Sequence, residues 1–301
     1  MGAYLRMDVS ATICFVLCFV LITIFIWLPE SPHHFVKNKE ETKARASILW
    51  YHRDCDVELE LQELKLFLEK NKSLPFKDVI KEFTIPYIWK AEILASLLFF
   101  YLQMSGVMTV LFYMETILRT AQVTVIEPSV IVIIVTATGI LGSMLSMILI
   151  DKFGRRNLMI VSALAGTISL ICFSTQYQFL DAGYDPISLQ DLPIFSVLLC
   201  QIALYIGIVS VPSTVLGEIF PPHVKCLAGC FASIVGAISS FISTSTYQPL
   251  LNLLTPKYLF YGYALLLATA IPYTYFCMPE TKGKSLQQIQ EELDRRTKQK
   301  S

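Results

Sequence analysis

Seven stretches of this chain, roughly 11–28, 91–115, 129–150, 158–179, 193–217, 227–254 and 258–278, are long and apolar. Each can cross about 30 Å of hydrocarbon at about 1.5 Å per residue. No other feature restricts the fold as strongly. Lipid offers backbone N–H and C=O groups no partner, so runs of this length fold as α-helices that satisfy their own hydrogen bonds. The composition agrees: 16% of the 301 residues are charged and 54% are hydrophobic, against about a quarter charged in an ordinary soluble protein. The sequence therefore predicts an all-α integral membrane protein that spans the bilayer several times.

The first run could be mistaken for a signal peptide. It is too long for one, has a single arginine before it, and ends in WLPESP rather than at a small-residue cleavage site. The sixth run is rich in Gly, Ala, Ser and Thr, a composition that in membranes goes with close helix packing.

Basic residues set the orientation. One set of alternate loops holds 21 of the 24 lysines and arginines, leaving only Arg6, Arg119 and Lys257 on the other side. By the positive-inside rule the N-terminus lies outside and the C-terminus in the cytoplasm, with the plasma membrane as the expected location. The sequon Asn71-Lys72-Ser73 then falls on the side where it stays unused.

Four regions follow: a first spanning helix over 1–28, a cytoplasmic helical insert over 29–90, a six-helix bundle over 91–278 and a cytoplasmic tail over 279–301. Within the insert, Val57, Leu61, Leu64 and Leu68 share one helical face. In the tail, Ser285 is placed to cap a helix whose apolar stripe is Leu286, Ile289 and Leu293.

Several functions are excluded. The net charge is zero, so no basic field invites nucleic acid. There is no glycine-rich nucleotide loop and no grouping of nucleophile, base and orienting acid, so no enzyme and no cofactor are expected. Neither CxxC nor HExxH occurs, and no metal is expected. Of the eight cysteines all but Cys55 lie in or beside apolar runs, which is packing rather than a disulfide framework.

Seven spans with an external N-terminus also describe a G-protein-coupled receptor. The large first cytoplasmic insert and the lack of Asn-Pro-x-x-Tyr in the last span argue against it. Four motifs at the ends of spans are more telling: PESP (29–32), DKFGRR (151–156), GEIFPPHVKCLAG (217–229) and PETKGKSL (279–286). Pro29, Pro221 and Pro279 cannot continue a helix and mark sharp exits into water. Each has a carboxylate close by: Glu30, Glu218 and Glu280. Gly154 permits a tight turn, and Arg155 and Arg156 offer planar forks suited to carboxylates.

In this order the four motifs resemble the sugar-porter family of the major facilitator superfamily, and VPSTVLGEIFP is most similar to the trehalose and hexose facilitators of insects. The resemblance covers almost the whole chain and aligns it with the family's sixth to twelfth helices. It implies the superfamily's C-terminal helix bundle plus one extra transmembrane helix and a cytoplasmic helical insert. It further implies a cytoplasmic gating network in which Arg155 and Arg156 pair with Glu218, joined by Asp151, Glu30 and Glu280, that latches the outward-facing state. The activity implied is facilitative transport of trehalose or a hexose by alternating access, with a small-molecule sugar and membrane lipid as partners.

The implied pocket departs from the family. Where the family reads Gln-Gln-x-Ser-Gly-x-Asn this chain has LQMSGVM (102–108), keeping Gln103 and Ser105 but placing Leu102 and Met108 at the other grips. Ser213 stands where a tryptophan is expected, Tyr205 where many glucose facilitators carry an acid, Gly139, Gly236 and Ala237 where the family has polar or aromatic grips, and Ser240 where a further asparagine is common. The expected substrate-binding residues are Gln103, Ser105, Thr109, Tyr205, Ser213 and Ser240, with Tyr113, Gln201, Ser210, Thr214, Ser239 and Ser243 as neighbours able to compensate. Each hydroxyl partner lost costs on the order of 1–3 kcal/mol. The family's first five helices have no counterpart, so the chain is expected to be a half-transporter or fragment that needs an N-terminal half to transport. The alternative is a non-transporting paralogue or a truncated regulatory or scaffold protein.

Overall fold

The computed structural model describes residues 6–52, 55–70 and 76–298, so the sequon at 71–73 lies outside the described residues. The chain divides into two compact units, Met1–Leu74 and Pro75–Ser301.

The first unit opens with α1 (Met7–Trp27), which buries none of its residues within the structure. A helix that is apolar on every side is built for lipid rather than for an aqueous surface. It ends two residues before Pro29. Three short helices follow, α2 (Pro32–Lys37), α3 (Glu41–Tyr51) and α4 (Val57–Lys70). Ser31 caps α2 by accepting the His34 N–H, with Pro32 preset in the first turn. The exit from α1 is tied to α3 by two hydroxyls: Ser47 donates to the Glu30 carbonyl at 2.6 Å and Tyr51 to the Pro29 carbonyl at 2.8 Å. Ala44, Ile48 and Leu61 form a small core between α3 and α4, with Val57 and Leu64 packed on it. The period-3.6 pattern in α4 thus has a partner. Ion pairs frame that core, Arg45 with Glu58 at 3.0 Å and Lys65 with Glu41, and the Lys65 hydrogen bond holds the Glu41 carboxyl below its usual range.

The second unit runs α5 (Phe76–Glu82), α6 (Pro86–Met104), α7 (Val107–Thr120), α8 (Pro128–Phe153), α9 (Arg155–Asp181), α10 (Asp191–Ile206), α11 (Ser210–Ile219), α12 (Pro222–Leu253), α13 (Pro256–Cys277) and α14 (Leu286–Lys298). Six spans come from eight of these helices, because α6 with α7 and α10 with α11 each form one interrupted crossing. Together with α1 they give, among the described residues, seven segments long and apolar enough to cross a membrane. Proline stands in the first turn of α6, α8, α12 and α13, where its missing N–H costs nothing. Pro86 explains why the first span of the bundle starts inside 29–90.

α9 is the hub, packed against α10 and α13, while α12 packs along α6. The contacts are close because small residues face inward. On α12 these are Ala228, Ala232, Gly236, Ser239 and Ser243, the stripe that made the sixth run ambiguous in sequence.

The tail helix α14 buries Ile289 and Leu293 in this core and lies on α6 and α11. Its cap is reciprocal: Ser285 Oγ accepts the Gln288 N–H at 3.4 Å, and Gln288 Oε1 accepts the Ser285 N–H at 2.9 Å. Ser285→Ala should loosen α14 by about 1 kcal/mol. Amide hydrogen exchange should then quicken over 286–293 and nowhere else; unchanged exchange there would refute the cap.

Candidate functional site

Two constellations occupy this unit: a charged cluster at the end of the bundle that carries the α8–α9 turn, and two helix breaks lined by uncharged polar groups.

The charged cluster is built on one glycine. α8 ends at Phe153 and α9 starts at Arg155, so the chain reverses through Gly154 alone, at φ 85° and ψ 160°. That conformation belongs to glycine. A methyl group on Gly154 would also fall 2.6 Å from Glu280 Oε2. Glu280 sits so close because its carboxylate replaces the missing N-cap side chain of α9. It accepts the N–H of Arg155 at 3.0 Å and of Arg156 at 3.1 Å, and those of Thr281 and Lys282 at 3.1 Å in its own loop. A negative group at a helix N-terminus satisfies orphan donors and complements the dipole at once.

Arg155 joins three helix ends. Its Nη2 and Nε donate to Glu218 Oε1 at 2.8 and 3.1 Å, Nη2 also meets Asp151 Oδ1 at 3.1 Å, and Nη1 donates to the Ile150 carbonyl at 3.1 Å. The Arg155 side chain is 12% exposed and that of Glu218 29%, so the pair is shielded, whereas Asp151 at 74% is a solvent-facing partner. Both arginine donors converge on one oxygen, leaving Glu218 Oε2 buried and without a hydrogen bond. The two-oxygen fork suggested by the sequence is not what forms.

Arg156 does not pair with Glu218. It donates to the Tyr275 carbonyl, and its guanidinium lies 4.9 Å from the centre of the Tyr275 ring. Near the end of α13 the ring face and the free carbonyl attract the cation. Glu280 contacts backbone amides rather than a guanidinium. Glu30 belongs to the first unit, where its carbonyl accepts the Ser47 hydroxyl.

The breaks answer a membrane problem. Pro212 has no N–H and its ring crowds the carbonyl four residues earlier, which weakens the helix where it breaks between Ile206 and Ser210. The freed groups are satisfied from neighbouring helices. Ser146 donates to the Ile206 carbonyl at 2.7 Å, and Ser162 accepts the Ile208 N–H at 3.0 Å while donating to the Ala203 carbonyl. Gly207 lets α9 come this near, since a methyl group there would lie 2.4 Å from Ser162 Cβ. The other break, at Ser105-Gly106, turns through Gly106 at φ 80°. Ser105 Oγ donates to the Leu102 carbonyl at 2.8 Å and accepts the Val107 N–H at 3.4 Å.

The expected pocket residues flank these breaks. Ser105 and Thr109 are fully buried, and Thr109 shares its hydroxyl with Ser243 at 3.0 Å and Tyr263 at 3.3 Å. Their hydroxyls are thus engaged within the protein. Gln103 is different: its Oε1 is buried and has no hydrogen-bond partner. Tyr205 packs on Gly139 and Gly142, and its carbonyl accepts the Ser210 hydroxyl at 2.8 Å. Ser213 is exposed and Ser240 half-buried. Tyr113 stacks on Tyr247 with ring centres 4.5 Å apart.

Gln201, which the sequence offered only as a compensating neighbour, is 1% exposed and its Nε2 has no partner. It lies against Gly139, the position where the resemblance expects an asparagine. The signal that could have raised its rank is a glutamine one helical turn before Tyr205 in an otherwise apolar run.

Comparison with known proteins agrees with this architecture. Residues 3–293 match the family model described as "Sugar (and other) transporter". The facilitated trehalose transporter Tret1 of Polypedilum vanderplanki is 27% identical over 305 residues, covering 100% of this chain and 60% of the relative. That of Apis mellifera ligustica is 26% identical, covering 96% and 57%. This chain therefore spans 60% or less of the length of the curated relatives it matches, and 32% of the one from Drosophila mojavensis.

Among solved structures, the inward-open xylose transporter XylE from E. coli superposes with a TM-score of 0.70 at 19% identity, over 91% of this chain and 54% of that one. XylE bound to 6-bromo-6-deoxy-D-glucose gives 0.69 at 20% identity, over 91% and 56%. The shared fold is that of the major facilitator superfamily, whose members in this family are membrane carriers and not enzymes. With seven apolar helices, a match over nearly its whole length and the motif-bearing ends described above, this integral multi-pass membrane protein belongs to the sugar (and other) transporter family.

Proposed function

We propose that this chain supplies one wall and one latch of a facilitative carbohydrate carrier, which works by alternating access with a second bundle forming the opposite wall. The observation that carries the proposal is the pair of interrupted spans with two buried, unpartnered amide atoms beside them, Gln103 Oε1 and Gln201 Nε2. Broken helices at mid-depth are where secondary carriers hold their substrates. An acceptor and a donor left open in such a place suit a hydroxyl, which is both.

The flanking polar groups, Gln103, Ser105, Thr109, Gln201, Tyr205, Ser210 and Ser213, are all uncharged. This favours a neutral, hydroxyl-rich solute over an ion or an acid. Trehalose is the first candidate and a hexose the second, in keeping with the named activity of the insect relatives. Tyr205, Ser213 and Ser240 complete the substrate-facing set. The latch of Arg155, Glu218, Asp151, Arg156 and Glu280 lies in the cytoplasm at the plasma membrane, together with the C-terminus. It is closed when the carrier faces outward and parts as the site opens inward.

Radiolabelled trehalose and glucose uptake in a transport-null host tests this directly. The chain is expressed alone and together with the remaining portion of the Polypedilum transporter. Uptake is expected only in the paired expression, and Gln103→Ala or Gln201→Leu should reduce it about tenfold, the worth of one buried hydroxyl partner. If neither sugar enters above background in the paired host, with both pieces shown in the membrane, the carrier reading fails.

A further inference from the structure

Three side chains of the first unit, from three successive pieces of the chain, turn their donor atoms toward one another. His52 ends α3, where its N–H bonds to the Ile48 carbonyl at 2.7 Å. Glu60 lies in the first turn of α4. Cys55, between them, is a free thiol whose Sγ donates to the His52 carbonyl at 3.2 Å. His52 Nδ1 is 3.3 Å from Glu60 Oε1, and the imidazole, thiol and carboxylate atoms all lie within 4.8 Å of one another. The cluster opens on a groove of about 370 Å³ lined also by His33, Tyr51 and Leu64.

An exposed histidine beside a glutamate is common and needs no ligand. The thiol is what this simple pairing leaves unexplained. It is the one cysteine outside the apolar runs, yet its sulfur lies beside the same pair, next to the core that Ile48 and Leu61 form between α3 and α4. No CxxC or HExxH pattern is involved, so the arrangement is invisible until α3 and α4 are paired.

We propose that His52, Cys55 and Glu60 form a transition-metal site that binds Zn²⁺ through one nitrogen, one sulfur and one oxygen, with the fourth position open toward the groove beside His33. The donor set selects the ion. Calcium and magnesium want six or more oxygens, and only one carboxylate is present. Sulfur with imidazole and carboxylate is the borderline-soft mixture that zinc takes. Zinc bonds of about 2.0–2.3 Å place tetrahedral ligand atoms roughly 3.3–3.8 Å apart. The His52–Glu60 separation already meets that spacing, so the thiol need close by only about 1 Å. A bound ion would deprotonate the thiol and clamp the end of α3 to the start of α4, making the closure of this hairpin depend on metal supply.

The test uses the full chain, purified in detergent and stripped with a chelator, with Co²⁺ as the spectroscopic probe. One equivalent should produce a near-ultraviolet thiolate charge-transfer band and visible tetrahedral bands, all displaced by Zn²⁺. Cys55→Ala should abolish the thiolate band, and His52→Ala and Glu60→Gln should each weaken Co²⁺ binding about tenfold or more. Cys226→Ala should change nothing, and circular dichroism should show each variant folded. A thiolate band that survives in Cys55→Ala would place the metal on another cysteine and overturn the assignment. So would the absence of saturable Co²⁺ and Zn²⁺ binding at micromolar concentration.

Discussion

Arg155→Ala is expected to lower sugar uptake by the paired carrier between tenfold and a hundredfold while leaving the amount of protein in the membrane unchanged. The substitution removes three hydrogen bonds and an ion pair that join the ends of α8, α9 and α11, and it strands Glu218, one of whose oxygens is already without a partner. Charge-assisted bonds of this kind are worth about 1.5–3 kcal/mol each, and removing one member of a shielded pair leaves a poorly solvated charge. Since the pair is part-exposed, about 2 kcal/mol is a fair net figure. If the latch belongs to one of two carrier states, that shift moves their ratio by more than tenfold. Arg155→Lys should recover little, because an ammonium is a point charge and cannot hold Glu218, Asp151 and the Ile150 carbonyl together. Asp151→Ala, at an exposed partner, should change uptake less than twofold. Wild-type uptake by Arg155→Ala at equal expression would remove the latch from the mechanism.

Gly154→Ala should be strongly destabilising. Two costs add. The backbone conformation is one that side chains avoid, about 1–3 kcal/mol. The new carbon would also meet the Glu280 carboxylate at 2.6–3.0 Å, forcing it off the N-terminus of α9 and giving up a charged cap of about 1 kcal/mol. A loss of about 3 kcal/mol in detergent unfolding is expected. Two comparisons separate the contributions. Glu280→Gln keeps the glycine and weakens the cap, and should cost about 1 kcal/mol. Gly183→Ala also has a positive φ, at 84°, but nothing within 4 Å of the added carbon, so it is a reference without a steric contact. If Gly154→Ala were no worse than Gly183→Ala, the contact with Glu280 would carry no energy.

The parts of this architecture that could be read from the chain are those fixed by short-range chemistry. Spanning helices announce themselves by length and hydropathy, their exits by Pro29, Pro221 and Pro279, and the tail helix by Ser285, Ile289 and Leu293. The motifs sufficed to bring Arg155 and Glu218 to mind as one group. What could not be read depends on backbone atoms far away in sequence. Arg156 finds the carbonyl of Tyr275, and Glu280 finds amide hydrogens rather than a side chain. The interruption near Gly207 could be suspected from Pro212, but its stability comes from Ser146 and Ser162 on two other helices. Around the first break, Ser105 is expected to grip sugar because the family motif has a serine there, and Thr109 because it is a polar neighbour on the same span. In the folded protein they are bonded internally, and the open groups are the two glutamine amides.

The Glu280 cap also has a meaning in time. The two amides it covers open a helix made 125 and 124 residues earlier in the chain. At about 5–20 residues per second, a ribosome needs roughly 6–25 s to travel that far. For that interval the turn between the bundle's second and third spans has been synthesised without its acceptor, and the amides of Arg155 and Arg156 have only water at the membrane edge. The last span's exit is thus a late fastener: the acceptor of these two amides arrives only when the bundle is otherwise complete, so a chain stopped before residue 280 keeps an open seam in its middle.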